Sequence, residues 1–264
     1  MNYRYVMKIV CIVENTTKNE VLTAEHGLSL YIETEDKKIL FDMGQTELFS
    51  VNAEKMKVDL AEVDVAVLSH GHYDHGGGLS KFLSVNSKAP VYLSKYAFGD
   101  YYNGCEKYIG LDKSLEKEKR LVFTGDEYRI SQNLCLFSKN ENERPNYLGS
   151  FGLNKLENGV FVPDGFLHEQ YLLIEENGKR VLISGCSHKG VMDIVSWFEP
   201  DVLVGGFHFS KIEDKSILDK AVSALTSHKT EYYTCHCTGV EQYEYMKEKT
   251  NRIHYLSCGD VLYI

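Results

Sequence analysis

The chain of 264 residues lacks an apolar run long enough to cross a bilayer, since a membrane-spanning helix needs about 20 apolar residues. Basic residues are also in deficit, because 29 Lys and Arg stand against 38 Asp and Glu and give a net charge of -9. A nucleic-acid-binding surface usually needs a basic face, so this charge argues against a nucleic-acid partner. An anionic or phosphorylated small molecule remains compatible, because a bound metal ion can hold an anion on an acidic protein.

The beginning of the chain lacks the pattern of a secretion signal. The apolar stretch within residues 1–13 is short and no small-residue cleavage site follows it, so we expect a first strand there, beginning near Val6. The seven cysteines are odd in number, and Cys11 and Cys135 lie in apolar runs typical of reduced, buried thiols. These features predict a cytoplasmic protein without a membrane anchor, and they leave its oligomeric state open.

The sequence contains neither a Ser-His-Asp arrangement nor the G-x-x-x-x-G-K-[ST] loop that binds nucleotide phosphates, which favours chemistry by a bound metal. It does contain H-G-H-Y-D-H at residues 70–75, after an apolar run over 63–68 that predicts a buried strand. Neutral imidazole and carboxylate are ligands shared by zinc, iron and manganese. Four such side chains at a strand end need a cation. The alternative is a polar loop of solvated histidines.

The spacing within this run suggests two neighbouring metal positions. His70 and His72 lie two residues apart and project to the same side of an extended turn. Asp74 and His75 follow where the chain begins to curl into a helix. The first pair can bind one metal ion and the second pair another.

Residues 70–75 resemble the signature of the metallo-β-lactamase-fold hydrolases, and further segments resemble one branch of that family. The branch includes proteins similar to the archaeal dihydropterin-ribofuranosylaminobenzene phosphate synthase. The segments that carry this likeness lie in order along the chain at residues 25–29 (EHGLS), 39–45 (ILFDMGQ), 184–188 (SGCSH), 205–208 (GGFH) and 235–239 (CHCTG). The likeness is informative about fold and metal and much less so about substrate, because one fold hosts many chemistries.

The resemblance implies an α+β fold, the four-layer αββα sandwich of the metallo-β-lactamase type. The element pattern agrees, since strands come first and strand–helix alternation follows, in two halves with sheets face to face and helices outside. We see no linker and predict a single domain over 1–264. Asn177-Gly178 marks a hairpin, whereas residues 140–159 predict a long loop. Residues 95–119, rich in Tyr and Gly, predict a lid over the active site or else a surface excursion packed on the body.

The family pattern also implies metal ligands in the second half of the chain. His236 follows a predicted strand, and we expect it to complete the site of Asp74 and His75. The flanking Cys235 and Cys237 should point away from it by strand alternation, so we interpret both thiols as packing.

Cys186 stands where most of the family has an aspartate that bridges both metals. A thiolate is softer than a carboxylate and favours zinc or iron. Cys186 can bridge the metals, bind only one of them, leave the second site weak, or lie near the metals without binding. Two candidates remain for the third ligand of the His70 and His72 site. His168 lies where the superfamily usually has its histidine, whereas His188 matches the branch, and we favour His188.

Other polar residues at predicted strand ends have supporting roles. We expect Asp42 to accept the free N–H of a ligand imidazole and so fix its orientation. Asp74 is a candidate for orienting the attacking water as well as binding metal. His208 is a candidate for substrate contact or acid catalysis, and His26 for lining the pocket.

The sequence therefore predicts a metal-dependent hydrolase that acts on an ester, phosphodiester or related bond of a small molecule. It would use a water activated by two divalent metal ions, with zinc favoured and iron or manganese as alternatives. Three other functions stay open: a pterin-linked synthase that displaces phosphate, a di-iron oxidoreductase, and a metal-dependent binding protein without catalysis.

Overall fold

The computed structural model describes residues 6–264, and residues 1–5, which precede the predicted first strand, lie outside the described residues. The chain divides into two compact units. The first unit comprises residues up to 99 together with 109–124 and 257–264, and the second unit comprises residues 100–108 and 125–256. No helix within 6–264 is long and apolar enough to cross a membrane.

The strands of residues 6–264 are short, and most have buried side chains. In chain order they are β1 (Lys8–Val13), β2 (Ser29–Glu33), β3 (Lys38–Phe41), β4 (Val65–Val67), β5 (Val91–Ser94), β6 (Tyr101–Asn103), β7 (Lys107–Tyr108), β8 (Leu121–Thr124), β9 (Glu127–Arg129), β10 (Leu134–Phe137), β11 (Leu153–Glu157), β12 (Val160–Pro163), β13 (Tyr171–Glu176), β14 (Lys179–Ile183), β15 (Val202–Gly205), β16 (Glu231–Thr234), β17 (Ile253–Tyr255) and β18 (Val261–Tyr263).

The helices fall between these strands. The α-helices are α1 (Leu48–Lys55), α2 (Tyr73–Gly76), α3 (Leu79–Val85), α4 (Val191–Phe198), α5 (Lys215–Ser227) and α6 (Val240–Lys247). Single turns of 3₁₀ helix cover Leu60–Glu62, Lys113–Leu115 and His236–Thr238.

The first unit is built on a seven-stranded sheet with the order β18-β1-β2-β3-β4-β5-β8. Strands β1 to β3 pair antiparallel, whereas β3, β4, β5 and β8 run parallel and are joined by crossovers containing helices. Parallel strands are buried on both faces, which explains why every residue of β4 is apolar and buried. Phe49 of α1 and Phe82 of α3 are fully buried in the apolar core of this unit.

The second unit contains a seven-stranded sheet with the order β17-β16-β15-β14-β13-β10-β9 and a separate four-stranded sheet with the order β12-β11-β6-β7. Strands β14 to β17 are parallel. Helix α4 buries Val191, Ile194, Val195 and Phe198 in the core of this unit. Each such side chain stabilises the fold by about 1.5–3 kcal/mol relative to exposure.

Two stretches contain more regular structure than the sequence predicted. The loop expected over residues 140–159 ends in β11, which forms a hairpin with β12 through Asn158 and Gly159, both at positive φ. The stretch 95–119 contains the hairpin of β6 and β7, and β6 pairs with β11. The long-loop prediction is therefore wrong for residues 153–157, whereas the single-domain and lid assignments stay predictions.

Candidate metal centre

The first unit gathers the three histidines of the H-G-H-Y-D-H run at the carboxyl end of β4. Residues 68–71 leave the strand, and His72 is the N-cap of α2 with extended backbone angles. The imidazole rings of His70 and His72 have centroids 4.6 Å apart, and those of His70 and His75 are 4.1 Å apart. All three rings are buried. Buried imidazoles packed this tightly form a set of nitrogen donors rather than an apolar contact.

Asp42, at the end of β3, orients two of these imidazoles through its buried carboxylate. Its Oδ2 lies 2.6 Å from Nδ1 of His75 and also accepts from Oγ of Ser69 at 2.7 Å, while its Oδ1 accepts the Ser69 N–H at 2.7 Å. Oγ of Ser69 in turn lies 2.8 Å from Nδ1 of His70. Because the carboxylate contacts Nδ1 of His75, Nε2 is the ring nitrogen that could bind a metal. The predicted orienting role of Asp42 is supported by these contacts.

Glycines let other segments approach the histidine run closely. A Cβ on Gly71 would lie 2.1 Å from the carbonyl oxygen of Ala97, and one on Gly77 would lie 2.1 Å from that of Gln45. No side chain fits at such distances, so glycine is required at both positions. The close packing fixes the path of the backbone on both sides of the donor set.

Asp74 points its carboxylate toward two histidines of the first unit. Its Oδ2 lies 3.1 Å from Nε2 of His26 and 3.9 Å from Nε2 of His75. His26 is about half exposed, whereas the Asp74 side chain is largely buried. The adjacent carboxylate of Glu25 accepts the backbone N–H groups of Gln45 and Thr46, each at 3.1 Å. His26 therefore contacts the candidate metal ligand Asp74 directly. Its predicted role in lining the pocket stays a prediction.

In the second unit, three adjacent parallel strands each deliver one candidate ligand. Cys186, His208 and Cys237 lie three residues beyond the last residues of β14, β15 and β16. One donor atom from each side chain lies within 4.8 Å of the other two. The carboxyl ends of parallel strands are the usual place for ligand sites in α/β sheets. The order of the sheet thus explains why residues distant in sequence converge.

The thiol of Cys237 is packed tightly within this cluster. Its Sγ lies 3.5 Å from the carbonyl oxygen of Cys186, and a Cβ on Gly206 would lie 2.4 Å from it. Burial raises the pKa of this thiol, but the Cys186 thiol and the nearby imidazoles outweigh burial and hold the pKa of Cys237 below its usual range. The interpretation of Cys237 as simple packing is therefore inadequate, because strand alternation does not apply to residues 236–238, which form a 3₁₀ helix.

His188 and His168 lie in different surroundings within the second unit. The ring of His188 stacks on Phe166 at 4.3 Å and contacts the ring of His208 at 4.3 Å. His168 is engaged by Asp164, whose Oδ2 lies 3.0 Å from its Nε2, and by the ring of Tyr101 at 4.0 Å. His188 therefore lies beside His208 at the strand ends, whereas His168 is buried against Asp164 and Tyr101, and the ring of Phe166 contacts both histidines. The preference for His188 over His168 as a metal ligand stays a prediction.

Glu169 and Lys189 hold the loop that carries His188, and sequence reasoning did not single out either residue. The Glu169 carboxylate accepts the backbone N–H groups of His188 at 2.7 Å and Lys189 at 3.0 Å. The Lys189 ammonium donates to Oδ1 of Asn140 at 2.7 Å and to two backbone carbonyls. Burial lowers the pKa of Lys189 to about 8. The only signal in the sequence was two charged residues next to histidines in apolar surroundings.

His236 is buried in the 3₁₀ turn that follows β16. Its turn is tied to the neighbouring strand end, because Oγ1 of Thr238 accepts the N–H of Phe207 at 2.8 Å. The predicted convergence of His236 with Asp74 and His75 remains a prediction.

Several candidate residues have strained backbone conformations. Asp42, His208 and His236 have φ of 60°, 57° and 50°, values that favour glycine. Residues other than glycine that adopt left-handed backbone angles are concentrated at functional sites. Nδ1 of His208 is also buried without a hydrogen-bond partner within residues 6–264.

The donors in each unit fit a divalent metal. Imidazole and carboxylate in the first unit suit zinc, iron or manganese, and thiolate in the second unit suits zinc or iron. The Asp42 carboxylate supplies the outer hydrogen bond that orients metal-ligating histidines in proteins.

Comparisons with known proteins agree with this donor chemistry. The model of the metallo-β-lactamase superfamily matches residues 22–226. The chain is 29% identical to the 7,8-dihydropterin-6-methyl-4-(β-D-ribofuranosyl)-aminobenzene-5'-phosphate synthase of Methanocaldococcus jannaschii, over 89% of this chain and 90% of the synthase. It is also 29% identical to the uncharacterised protein MJ0448 of the same organism, over 93% of this chain and 96% of that protein.

One solved structure is similar to this chain over almost the full length of both proteins. The crystal structure of Tm1679, described as a metal-dependent hydrolase of the β-lactamase superfamily, matches with a TM-score of 0.82 and 29% identity, covering 98% of this chain and 99% of that one. The α+β class expected from the sequence is confirmed by these matches. This chain belongs to the metallo-β-lactamase superfamily.

Proposed function

We propose that this protein is a metal-dependent hydrolase of small molecules. The observation that carries the proposal is the buried imidazole set of His70, His72 and His75, with Asp42 oriented toward Nδ1 of His75. A carboxylate in that position leaves a ligand nitrogen available and fixes its direction. Membership of the superfamily supports an enzyme, and the similarity to a metal-dependent hydrolase supports the type of reaction.

We propose candidate metal ligands within each unit separately. In the first unit they are His70, His72, Asp74 and His75, and in the second unit they are Cys186, His188 and His236, with His168 as the less favoured alternative to His188. Donors of these types suit two divalent ions, with zinc preferred because imidazole, carboxylate and thiolate all bind it. Iron fits the same donors, and manganese fits those without sulfur. A divalent metal would supply a water that loses its proton near neutral pH.

Two residues have further roles in this proposal. Asp74 orients the attacking water through a carboxylate that is already directed by His26. His208 carries a proton to the leaving group, since its Nδ1 has no hydrogen-bond partner among the described residues and its ring contacts His188. A general acid must present a polar atom free to reach substrate.

The substrate class follows from charge and from the expected metals. The chain is acidic overall, so an anionic or phosphorylated small molecule would be attracted by the metal ions and not by the protein surface. Residues 95–119, which include the hairpin of β6 and β7, would close over such a substrate as a lid.

A second candidate function is displacement of phosphate from an activated pterin. The similarity to the dihydropterin synthase over 90% of that enzyme's length favours it. Both functions need the same metal donors, so only the substrate distinguishes them.

Elemental analysis of protein purified without added metal, followed by assays on ester, phosphodiester and pterin phosphate substrates, tests the proposal. We expect about two zinc ions per chain and turnover that is lost in His75→Ala. The matched control is His254→Ala, because His254 is a partly exposed histidine paired with Glu231 at 3.1 Å.

Each alternative has its own outcome in this experiment. Phosphate release from a pterin substrate, with no hydrolysis of simple esters, would establish the synthase. A coloured, iron-loaded preparation with redox activity would indicate a di-iron oxidoreductase. Full metal loading without turnover of any substrate would contradict an enzyme and favour a binding protein.

A further inference from the structure

Cys186, His208 and Cys237 form a side-chain cluster that includes a residue with no role in the proposed hydrolysis, namely Cys237. The register of the parallel strands explains the cluster. Ile183 of β14 lies beside Val204 of β15, which lies beside Tyr233 of β16, so the three strands end at nearly the same level. The residues that follow then meet at one edge of the sheet.

The distances within the cluster match what a metal ion requires. Two sulfur ligands at about 2.3 Å from a tetrahedral metal lie roughly 3.8 Å apart, and the three donor atoms here lie within 4.8 Å of one another. Both cysteine side chains are buried, at 3% and 7% exposure for Cys186 and Cys237. Two buried thiols and an imidazole make a soft donor set.

The backbone holds the sulfur of Cys237 in place. The position that a Cβ would occupy on Gly206 lies 2.4 Å from Sγ of Cys237, so this sulfur packs directly against the backbone of the β15 edge. His208, two residues later, has a strained φ of 57°. Strain at a polar residue beside a backbone cradle is typical of a functional site.

We propose that Cys186, His208 and Cys237 together bind one thiophilic divalent metal ion, with both sulfurs as thiolates. Two thiolates neutralise the charge of a divalent ion, which removes most of the cost of burying that charge. This site selects zinc, iron(II), cobalt(II) or cadmium and discriminates against magnesium and manganese. It shares Cys186 with the ligand set of the proposed function and adds Cys237 and His208 as ligands. While this ion is bound, His208 is a ligand and does not also serve as the proton carrier proposed above.

Cobalt(II) provides a direct test, because thiolate ligands give cobalt an intense charge-transfer absorption in the near ultraviolet that oxygen and nitrogen ligands lack. Metal-free full-length protein is titrated with one equivalent of cobalt(II) under reducing conditions. We expect the band in the wild type, its reduction by roughly half in Cys237→Ser because one of two metal–sulfur bonds is removed, and its complete loss when Cys186 is also replaced by Ser.

The matched control is Cys235→Ser, since Cys235 is a buried cysteine two residues from Cys237 that lies outside the cluster. Its band should equal that of the wild type. Zinc X-ray absorption averages over all bound ions, so it is compared between wild type and Cys237→Ser, and we expect the number of sulfur neighbours per chain at about 2.3 Å to fall by one in the variant. A full cobalt band in Cys237→Ser, or an unchanged number of sulfur neighbours in that variant, would overturn the proposal. Neither readout depends on turnover, so a failure here is separate from a failure of the hydrolase assays.

Discussion

Replacing Asp42 by Asn tests the proposal that its carboxylate prepares His75 for metal binding. The carboxylate accepts three hydrogen bonds, from Nδ1 of His75, Oγ of Ser69 and the Ser69 N–H, at 2.6–2.7 Å. Asn has the same size and tolerates the φ of 60° at this position. The substitution therefore changes hydrogen bonding with little change in backbone strain.

The magnitude follows from the donors that Asn leaves without an acceptor. One oxygen of Asp42 is replaced by an NH₂ group that faces donors, so at least one of three bonds to a charged acceptor is lost, at about 1.5–3 kcal/mol. The Nδ1 proton of His75 is then less firmly held. Loss of such an outer hydrogen bond typically weakens metal binding by about 10- to 100-fold, which is about 1.4–2.8 kcal/mol.

Competition for zinc between the protein and a chromophoric chelator measures this affinity. Urea unfolding of the metal-free protein separates the effect on binding from the effect on stability. The control is Asp64→Asn, because the Asp64 carboxylate also accepts a backbone N–H, that of Lys38 at 2.9 Å, but lies at the opposite end of β4. Equal zinc affinity of wild type and Asp42→Asn would refute the role of Asp42 in orienting His75.

Three further predictions concern neighbouring residues. In Gly71→Ala the new Cβ meets the Ala97 carbonyl at 2.1 Å, so urea unfolding should show a loss of at least about 1–3 kcal/mol, whereas Gly125→Ala, with open space around it, should change little. Cys186→Asp should keep the fold and shift metal preference toward manganese, because a carboxylate is a harder ligand; unchanged selectivity in zinc and manganese competition would make the thiol a bystander. The pKa of Lys189 falls from 10.5 to about 8 on burial, so the unfolded chain keeps a proton that the folded protein loses above pH 8. The unfolding free energy of wild type relative to Lys189→Met should therefore rise from about pH 8 to 10.5 and stay flat below that range, and a pH-independent difference would contradict the burial cost.

The sequence predicted the metal-binding run because that signal is local. Three histidines and an aspartate within residues 70–75 leave few structural explanations, and Asp42 at a strand end follows from the need of imidazoles for a second hydrogen-bond partner. The hairpin of β11 and β12 could also have been predicted from the sequence, since Asn158-Gly159 is as strong a turn signal as Asn177-Gly178. It was missed because the flanking residues are polar and only partly buried.

The cluster around Cys237 could not be predicted in the same way. Its members come from three strands and are brought together by sheet order, which local patterns do not encode. The expectation that Cys237 points away from His236 assumed an extended chain, whereas residues 236–238 turn in a 3₁₀ helix. Likewise, Glu169 and Lys189 act on the His188 loop through tertiary hydrogen bonds that no spacing reveals.

The position of β18 beside β1 has a consequence for synthesis on the ribosome. One edge of β1 pairs with β18, and the N–H of Cys11 also bonds to the carbonyl of Asp260 at 3.0 Å. Until that last segment leaves the exit tunnel, β1 exposes an unpaired strand edge that can recruit other chains. The first unit therefore completes its sheet only after residues 257–264 have emerged, although its other strands are among the first to emerge. Nascent chains stalled before residue 257 should accordingly depend on chaperones more than the released protein does.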